Sequence, residues 1–185
     1  NRTGVEVAIV PEQHSIMGVK SKVKCVAEIV NKNIEAGRLF EEKLDPAINK
    51  LEIASQKVLE KETKAIFILG LQSGSPLIGG MNTSANGLIE MIGAKNVLSS
   101  FEGWKPVSTE SILMAEPDVI LISNRGLSAF GDVESLRQHP ALALTPAAKN
   151  NNIIAMDGMA MLGFGPRTIF SALNIANDIL DINDK

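Results

Sequence analysis

Apolar positions in the first third of the chain recur with the 3.6-residue period of an amphipathic helix. The region covers residues 16–61, and its apolar residues form two faces: Met17, Val19, Val23, Val26, Ile29, Val30 and Ile34, then Leu39, Phe40, Leu44, Ile48, Leu51, Ala54 and Val58. Gly37 and Pro46 interrupt the pattern, which therefore predicts two helices, the second kinked or restarted near Asp45. A short apolar run at residues 5–10 predicts a strand before them.

From residue 65 onward, short apolar runs alternate with helical patterns. The predicted strands are residues 65–70, 118–122 and 152–156, with a further short strand near Val97. The predicted helices are residues 84–92, 109–114, 133–139, 146–149 and 167–180. Alternation of strands and helices predicts an α/β fold, in which a central, mainly parallel sheet is flanked by helices.

Composition narrows the class of protein. With 185 residues, 45% hydrophobic and 21% charged, the chain can bury one substantial core. Its net charge of −3 gives no reason to expect nucleic acid or an anionic membrane surface as a partner. The single cysteine, Cys25, cannot form an internal disulfide, and its place in a helical pattern predicts a buried small hydrophobe.

Two long glycine-rich loops, residues 71–82 and 157–166, are the candidate site. In α/β sheets the ligand lies beyond the carboxyl ends of the strands, so these loops and the helix starts that follow them predict one wall of a cleft. Pro166 stands in the first turn of the last helix with Arg167 beside it. A cation among free backbone N–H groups predicts binding of a carboxylate or phosphate. The loop lacks a dinucleotide fingerprint, because Thr168 stands where that motif needs glycine.

Four segments of the chain resemble the periplasmic haem-binding proteins of bacterial ABC importers. They are PLIGGMNTSANGLIEMIGAKNV (76–97), FEGWKPVSTESILMAEPDVILIS (101–123), ALTPAAKNNNIIAMD (143–157) and MLGFGPRT (161–168). These belong to the class III substrate-binding proteins, which also take up cobalamin and siderophores. The resemblance implies that residues 1–15 end an N-terminal lobe missing from this chain, that 16–63 form an inter-lobe helical segment, and that 64–185 form a Rossmann-like C-terminal ligand-binding lobe.

The same resemblance implies a function. A protein of this family captures haem in a cleft between two lobes in the periplasm and delivers it to the permease subunits of an ABC importer. A TonB-dependent outer-membrane haem receptor would act upstream. No bond is made or broken, so we expect no enzymatic activity and no catalytic residue. Arg167, with nearby N–H groups, would hold a haem propionate.

Further ligand-binding residues are expected on the cleft loops. Trp104 can either pack on the porphyrin or cap the core, and both roles remain open. Met81, Met159 and Met161 can line an apolar slot, offer sulfur to iron, or fill space. Asn82 stands where relatives that stack two haems can carry a histidine ligand, so an asparagine favours a single haem.

Two further expectations follow from the resemblance. Glu110 matches a glutamate with which related cobalamin- and siderophore-binding proteins engage permease arginines, and it also suits the first turn of a helix. The family holds haem iron through a tyrosinate of the N-terminal lobe, and this chain has no tyrosine. We therefore expect no metal ligand within it, since neither His14 nor His139 stands in a cleft loop.

Two alternatives remain open at this stage. A ferric siderophore or cobalamin would keep the class, although an anionic siderophore usually calls for several arginines, and only Arg125 and Arg167 are near the cleft. The second alternative is an α/β enzyme acting on a phosphorylated or nucleotide substrate. Against it, the cleft loops offer Ser73, Ser75 and Asp157 but no histidine to serve as a base.

Overall fold

The computed structural model describes residues 7–183 of the chain. Part of the strand predicted at residues 5–10 lies outside that range. Residues 7–10 are irregular, so this part of the prediction is wrong. Val7 and Ile9 are 71% and 89% exposed. Within the described residues no strand lies beside them, so their backbone has no partner for the hydrogen bonds of a sheet.

The helical segment consists of α1 (Ile16–Ile29), α2 (Asn33–Leu39), a π-helical turn (Phe40–Leu44) and α3 (Asp45–Glu60). The first break comes at Asn31, which has a positive φ of 53°, and not at Gly37, which continues α2. The restart predicted near Asp45 is confirmed. Pro46 lies in the first turn of α3, and the π turn precedes it because proline has no N–H to extend the helix before it.

The sheet contains six strands: β1 (Lys64–Gln72), β2 (Ser75–Gly79), β3 (Lys95–Asn96), β4 (Trp104–Pro106), β5 (Val119–Ser123) and β6 (Ile153–Met156). Its order is β4-β2-β1-β5-β6, with β3 paired to the start of β1. β1, β3, β5 and β6 are mutually parallel, whereas β2 is antiparallel to both β1 and β4.

The sequence did not predict β2 or β4. Ser73 and Gly74 both have positive φ, 51° and 82°, which is the backbone of a tight two-residue hairpin turn. Much of the predicted 71–82 loop is therefore a hairpin. β2 carries the chain back from the turn, and Gly79 packs so closely on Ala85 that an added Cβ would lie 2.5 Å from it. The next helix thus begins beside the sheet and not at the end of β1.

Seven helices follow β2: α4 (Ser84–Met91), α5 (Thr109–Ala115), α6 (Asn124–Leu127), α7 (Val133–Arg137), α8 (Pro146–Lys149), α9 (Gly158–Leu162) and α10 (Pro166–Asn183). Six begin with side-chain caps, from Thr83, Ser108, Ser123, Asp132, Thr145 and Asp157. The pattern missed α6 and α9, which are too short to show a helical period.

The core has one layer on each face of the sheet. Alternate residues of β1 enter different layers, since Ala65 and Phe67 lie in one, and Ile66 and Ile68 in the other. The larger layer is built with α3, α4 and α10, and the smaller one with α5, α7 and α8. The predicted α/β fold with a mainly parallel central sheet flanked by helices is confirmed. Cys25 is half-buried, and no helix within residues 7–183 has the length and hydropathy needed to cross a membrane.

Candidate ligand-binding site

The candidate site lies at the carboxyl edge of the parallel strands. Ser123 of β5 is level with Met156 of β6, so these two strands end together, whereas β1 continues past Ile68, level with Ile122, to Gln72 in the hairpin. β4 also runs towards this edge, because β2 is antiparallel both to it and to β1. α5, α6 and α9 begin at once or within two residues after β4, β5 and β6. Their free N–H groups therefore gather at this edge.

Arg167 lies at this edge, in the first turn of α10. Its Nη1 is 3.8 Å from Oδ1 of Asp157, and the two side chains are 71% and 61% exposed. Asp157 also caps α9, because its Oδ1 accepts a hydrogen bond of 2.7 Å from the N–H of Ala160. The sequence reasoning missed this partner. An exposed ion pair of this length contributes roughly 0–1 kcal/mol, so Arg167 remains available to an anionic ligand.

The turn between α9 and α10 is held by residues from the beginning of the chain. Phe164 is fully buried and has a positive φ of 43°, a conformation that costs a non-glycine residue on the order of 1 kcal/mol. The His14 ring packs against the Phe164 ring with centroids 4.9 Å apart. Nζ of Lys22 donates a hydrogen bond of 3.1 Å to the carbonyl of Gly163. His14 is thus placed beneath the loop, which its sequence position did not indicate.

Met81, Asn82 and Trp104 lie at the opposite end of the sheet. The N–H of Met81 donates to the carbonyl of Phe101 at 2.7 Å, and the carbonyl of Met81 accepts from Gly103 at 2.9 Å. These bonds fix the segment beside the start of β4. Met81 is 43% exposed, and Asn82 is exposed with a positive φ of 59°. This group therefore presents a thioether and an amide to solvent.

Trp104 belongs partly to the core. Its ring meets the Phe67 ring edge-on, with centroids 6.0 Å apart, and it packs against the larger core layer. The residue is half-buried. Of the two roles left open by the sequence, core packing is present in the structure, while the exposed part of the indole remains available for a ligand.

The two methionines of α9 differ in exposure, and the prediction that Met161 contacts the ligand is wrong. Met161 is fully buried in the larger core layer, whereas Met159 is 70% exposed. A short helix packed against the core turns one side inward, and five residues are too few for a periodic pattern to show which methionine that side carries. Met159 is therefore the methionine of α9 that a ligand can reach.

The two groups are separated across the sheet and along the strands. Trp104 pairs with Gly79, and the neighbouring Ile78 pairs with Ile68, so Trp104 is level with the middle of β1, whereas Arg167 lies beyond the carboxyl end of β6. β4 and β6 are separated by four strand spacings, roughly 19 Å in all. α9 spans part of this distance, because it starts after β6 and packs against both β5 and α4. The site therefore has an apolar, aromatic end near β4 and a charged end near β6, with Met159 on the helix between them.

Other charges occur at the same edge. Glu110 is exposed in the first turn of α5, and within residues 7–183 it makes no ion pair or hydrogen bond through its carboxylate. Arg125 is exposed on α6. In that same described range, no three His, Cys, Asp or Glu side chains come together as a metal site. The edge can therefore bind an anion and a partner surface through these side chains.

The fold and this edge define a class of ligand-binding protein. The model of the periplasmic binding protein family matches residues 2–160, and the chain belongs to that family. The class predicted from the sequence is confirmed.

Several solved structures similar to this chain are named as haem-binding proteins. The periplasmic haem-binding protein HutB of Vibrio cholerae is 31% identical, with a TM-score of 0.82, and the match covers 96% of this chain and 69% of that one. BhuT, a periplasmic haem-binding protein in complex with two haems, is 28% identical, with a TM-score of 0.83 and coverage of 98% and 68%.

A curated relative is the uncharacterised ABC transporter substrate-binding lipoprotein YvrC of Bacillus subtilis (strain 168). It is 21% identical over 176 residues, which are 95% of this chain and 54% of the relative. The chain thus spans about half the length of this relative and about two thirds of the solved structures.

Proposed function

We propose that this chain supplies one wall of the ligand cleft in the substrate-binding component of an ABC importer. In this proposal residues 16–63 are the inter-lobe segment and residues 64–185 the C-terminal lobe, with a further lobe closing the cleft. The family match and the partial coverage of its relatives support this division. The protein then acts outside the cytoplasmic membrane and binds its ligand without changing it.

Haem is the ligand that this site suits best. The observation that carries the proposal is Arg167, an exposed cation in the first turn of an 18-residue helix, paired only loosely with Asp157. A propionate can take the place of Asp157 and gain a charge-assisted hydrogen bond. Similar structures with 31% and 28% identity are named as haem-binding proteins, which supports the same ligand.

The rest of the edge suits the porphyrin. Met81, Met159 and the exposed part of Trp104 offer apolar surface for a flat ring, while Arg167 stands on the β6 side of the sheet. Asn82 cannot replace a histidine as an iron ligand, so we propose a single haem. The chain has no tyrosine, and in this proposal the axial ligand comes from the other lobe.

Delivery requires a surface that meets the permease. Glu110 is an exposed carboxylate at the same edge of the lobe, beside the end of β4. We propose that it pairs with a permease arginine during docking. Such a contact mainly affects orientation and the rate of encounter.

A Soret titration of this chain and of the two-lobed protein tests the proposal. We expect the two-lobed protein to bind haem with a tyrosinate-type spectrum. This chain alone should bind at least about a hundredfold more weakly, because one cleft wall and the axial ligand are absent. Ferric siderophore and cobalamin serve as competing ligands.

Two outcomes would contradict the proposal. Binding of haem by this chain alone as tightly as by the two-lobed protein would exclude an axial ligand from another lobe. Displacement of haem by a lower concentration of ferric siderophore or cobalamin would replace haem as the ligand while leaving the importer class intact.

A further inference from the structure

Lys22 connects the inter-lobe helix α1 to the loop that carries Arg167. Its Nζ donates to the carbonyl of Gly163 at 3.1 Å and to the carboxylate of Glu12 at 2.7 Å. Residues 22 and 163 are 141 positions apart in the chain. The Lys22 side chain is only 16% exposed, so its charge is less screened by water than that of a surface lysine.

The contact supplies a hydrogen-bond donor at the C-terminal end of α9. The last carbonyls of a helix have no intrahelical partner and carry the negative end of its dipole. Gly163 is the C-cap of α9, so the ammonium of Lys22 supplies both a donor and a complementary charge at that end. The position requires glycine, because a Cβ there would lie 2.6 Å from the carbonyl oxygen of Met159.

The loop beyond Gly163 transmits any displacement to the site. Only Phe164, Gly165 and Pro166 separate Gly163 from Arg167, and Phe164 is held in a left-handed conformation. A strained residue keeps such a conformation only while its surroundings enforce it. Burial of Phe164, its contact with the His14 ring and the hydrogen bond from Lys22 all restrain this turn. Pro166 and the stem of Lys22 also line the same apolar groove between α1 and α2, about 370 Å³ in volume.

We propose that Lys22 is a positioning residue for ligand binding: held by Glu12, its ammonium fixes the turn before α10 and thereby the direction of Arg167. Lys22 does not touch the ligand. The inference rests on the proposed function for its effect on haem, but its effect on the loop is independent of any ligand. The inter-lobe helix thereby sets the geometry of the charged end of the cleft.

Amide hydrogen exchange of residues 158–168 in the ligand-free chain tests the first step. Lys22→Met keeps the apolar stem and removes the charge, whereas Lys22→Arg keeps a cation that can still donate. We expect exchange in this segment to rise about tenfold in Lys22→Met and to return close to the wild-type rate in Lys22→Arg. Lys50→Met, which changes an exposed lysine in the middle of α3, is the matched control and should leave the segment unchanged.

Haem affinity of the two-lobed protein tests the second step. We expect Lys22→Met to weaken haem binding about three- to tenfold, and to have no further effect in a protein that already carries Arg167→Ala. Rescue by Lys22→Arg and loss of the effect in the Arg167→Ala background are results that a merely structural lysine would not give.

Each outcome decides something definite. Unchanged exchange at residues 158–168 in Lys22→Met overturns the proposal, as does an equal, additive loss of haem affinity in the Arg167→Ala background. If the wild-type protein binds no haem, the proposed function fails, and the exchange experiment alone decides whether Lys22 holds the loop.

Discussion

The two ends of the site are built in different ways. At the β4 end, Trp104 packs on the core and Met81 is fixed by two backbone hydrogen bonds. At the β6 end, Arg167 is exposed, and its turn is held by Lys22 and by the buried Phe164. The apolar end therefore also contributes to folding, whereas the charged end can change with little effect on the core. Substitutions at the two ends should separate stability from affinity.

Trp104→Ala should have the largest effect on folding. Loss of a half-buried indole that packs on Phe67 is expected to lower the free energy of unfolding by about 2 kcal/mol, less than for a fully buried tryptophan. Urea unfolding followed by circular dichroism measures it. Trp104→Phe, which keeps a ring in contact with Phe67, is the control and should lose less than half as much. Equal stability of wild type and Trp104→Ala would remove Trp104 from the core.

Arg167→Ala should act on affinity and leave folding intact. A charge-assisted contact to a propionate is worth about 1.5 to 3 kcal/mol, so haem binding in the two-lobed protein should weaken roughly ten- to a hundredfold. The iron-centred spectrum should stay the same, because in the proposed function the axial ligand comes from the other lobe. The measurement is a haem titration with Arg137→Ala, on the distant helix α7, as control.

Unchanged affinity in Arg167→Ala, or a changed spectrum at unchanged affinity, would contradict this assignment. A loss of stability as large as that of Trp104→Ala would show that the two ends are not separate in their effects.

Glu110→Ala should affect delivery and not capture. Removing the exposed carboxylate proposed to pair with a permease arginine is expected to slow haem uptake several-fold while haem affinity stays within about twofold. Uptake by whole cells and titration of the purified protein provide the two measurements. Glu52→Ala, at an exposed position on α3, is the control. A fall in haem affinity together with uptake would place Glu110 in the pocket.

Asp157→Asn should have the smallest effect, and in the opposite direction. The amide oxygen of asparagine can still cap α9, but the negative charge that competes for Arg167 is removed. Haem affinity should therefore rise roughly two- to fivefold, as expected for the loss of an exposed ion pair. Titration at low salt gives the largest difference, because salt screens the pair. A decrease in affinity would mean that Asp157 orients Arg167 instead of competing for it.

The sequence predicted those parts of the fold that local pattern controls. The parallel strands and the restart of the helix at Asp45 follow from apolar periodicity and from the backbone preference of proline. The β1–β2 hairpin was missed because its turn places Ser73 in a left-handed conformation. A serine in the sequence does not indicate that conformation.

The site was predicted only in part, for a similar reason. Arg167 follows proline at a helix start, and the sequence alone identified it as a candidate anion-binding residue. The choice between Met159 and Met161 depends on which side of α9 meets the core. The contact between Lys22 and Gly163 joins residues 141 positions apart, which no local pattern records.

The sequence by itself determined the α/β class, the order of most elements and the loop that carries the cation. The period of the apolar residues and the backbone preferences of proline and glycine affect residues that are close to them in the chain. Tertiary structure alone decided which side chains face the edge, how Asp157 competes for Arg167, and how Lys22 and His14 hold the turn before α10. Those outcomes depend on packing between distant segments, where burial and distance in space, and not spacing in sequence, set the energies.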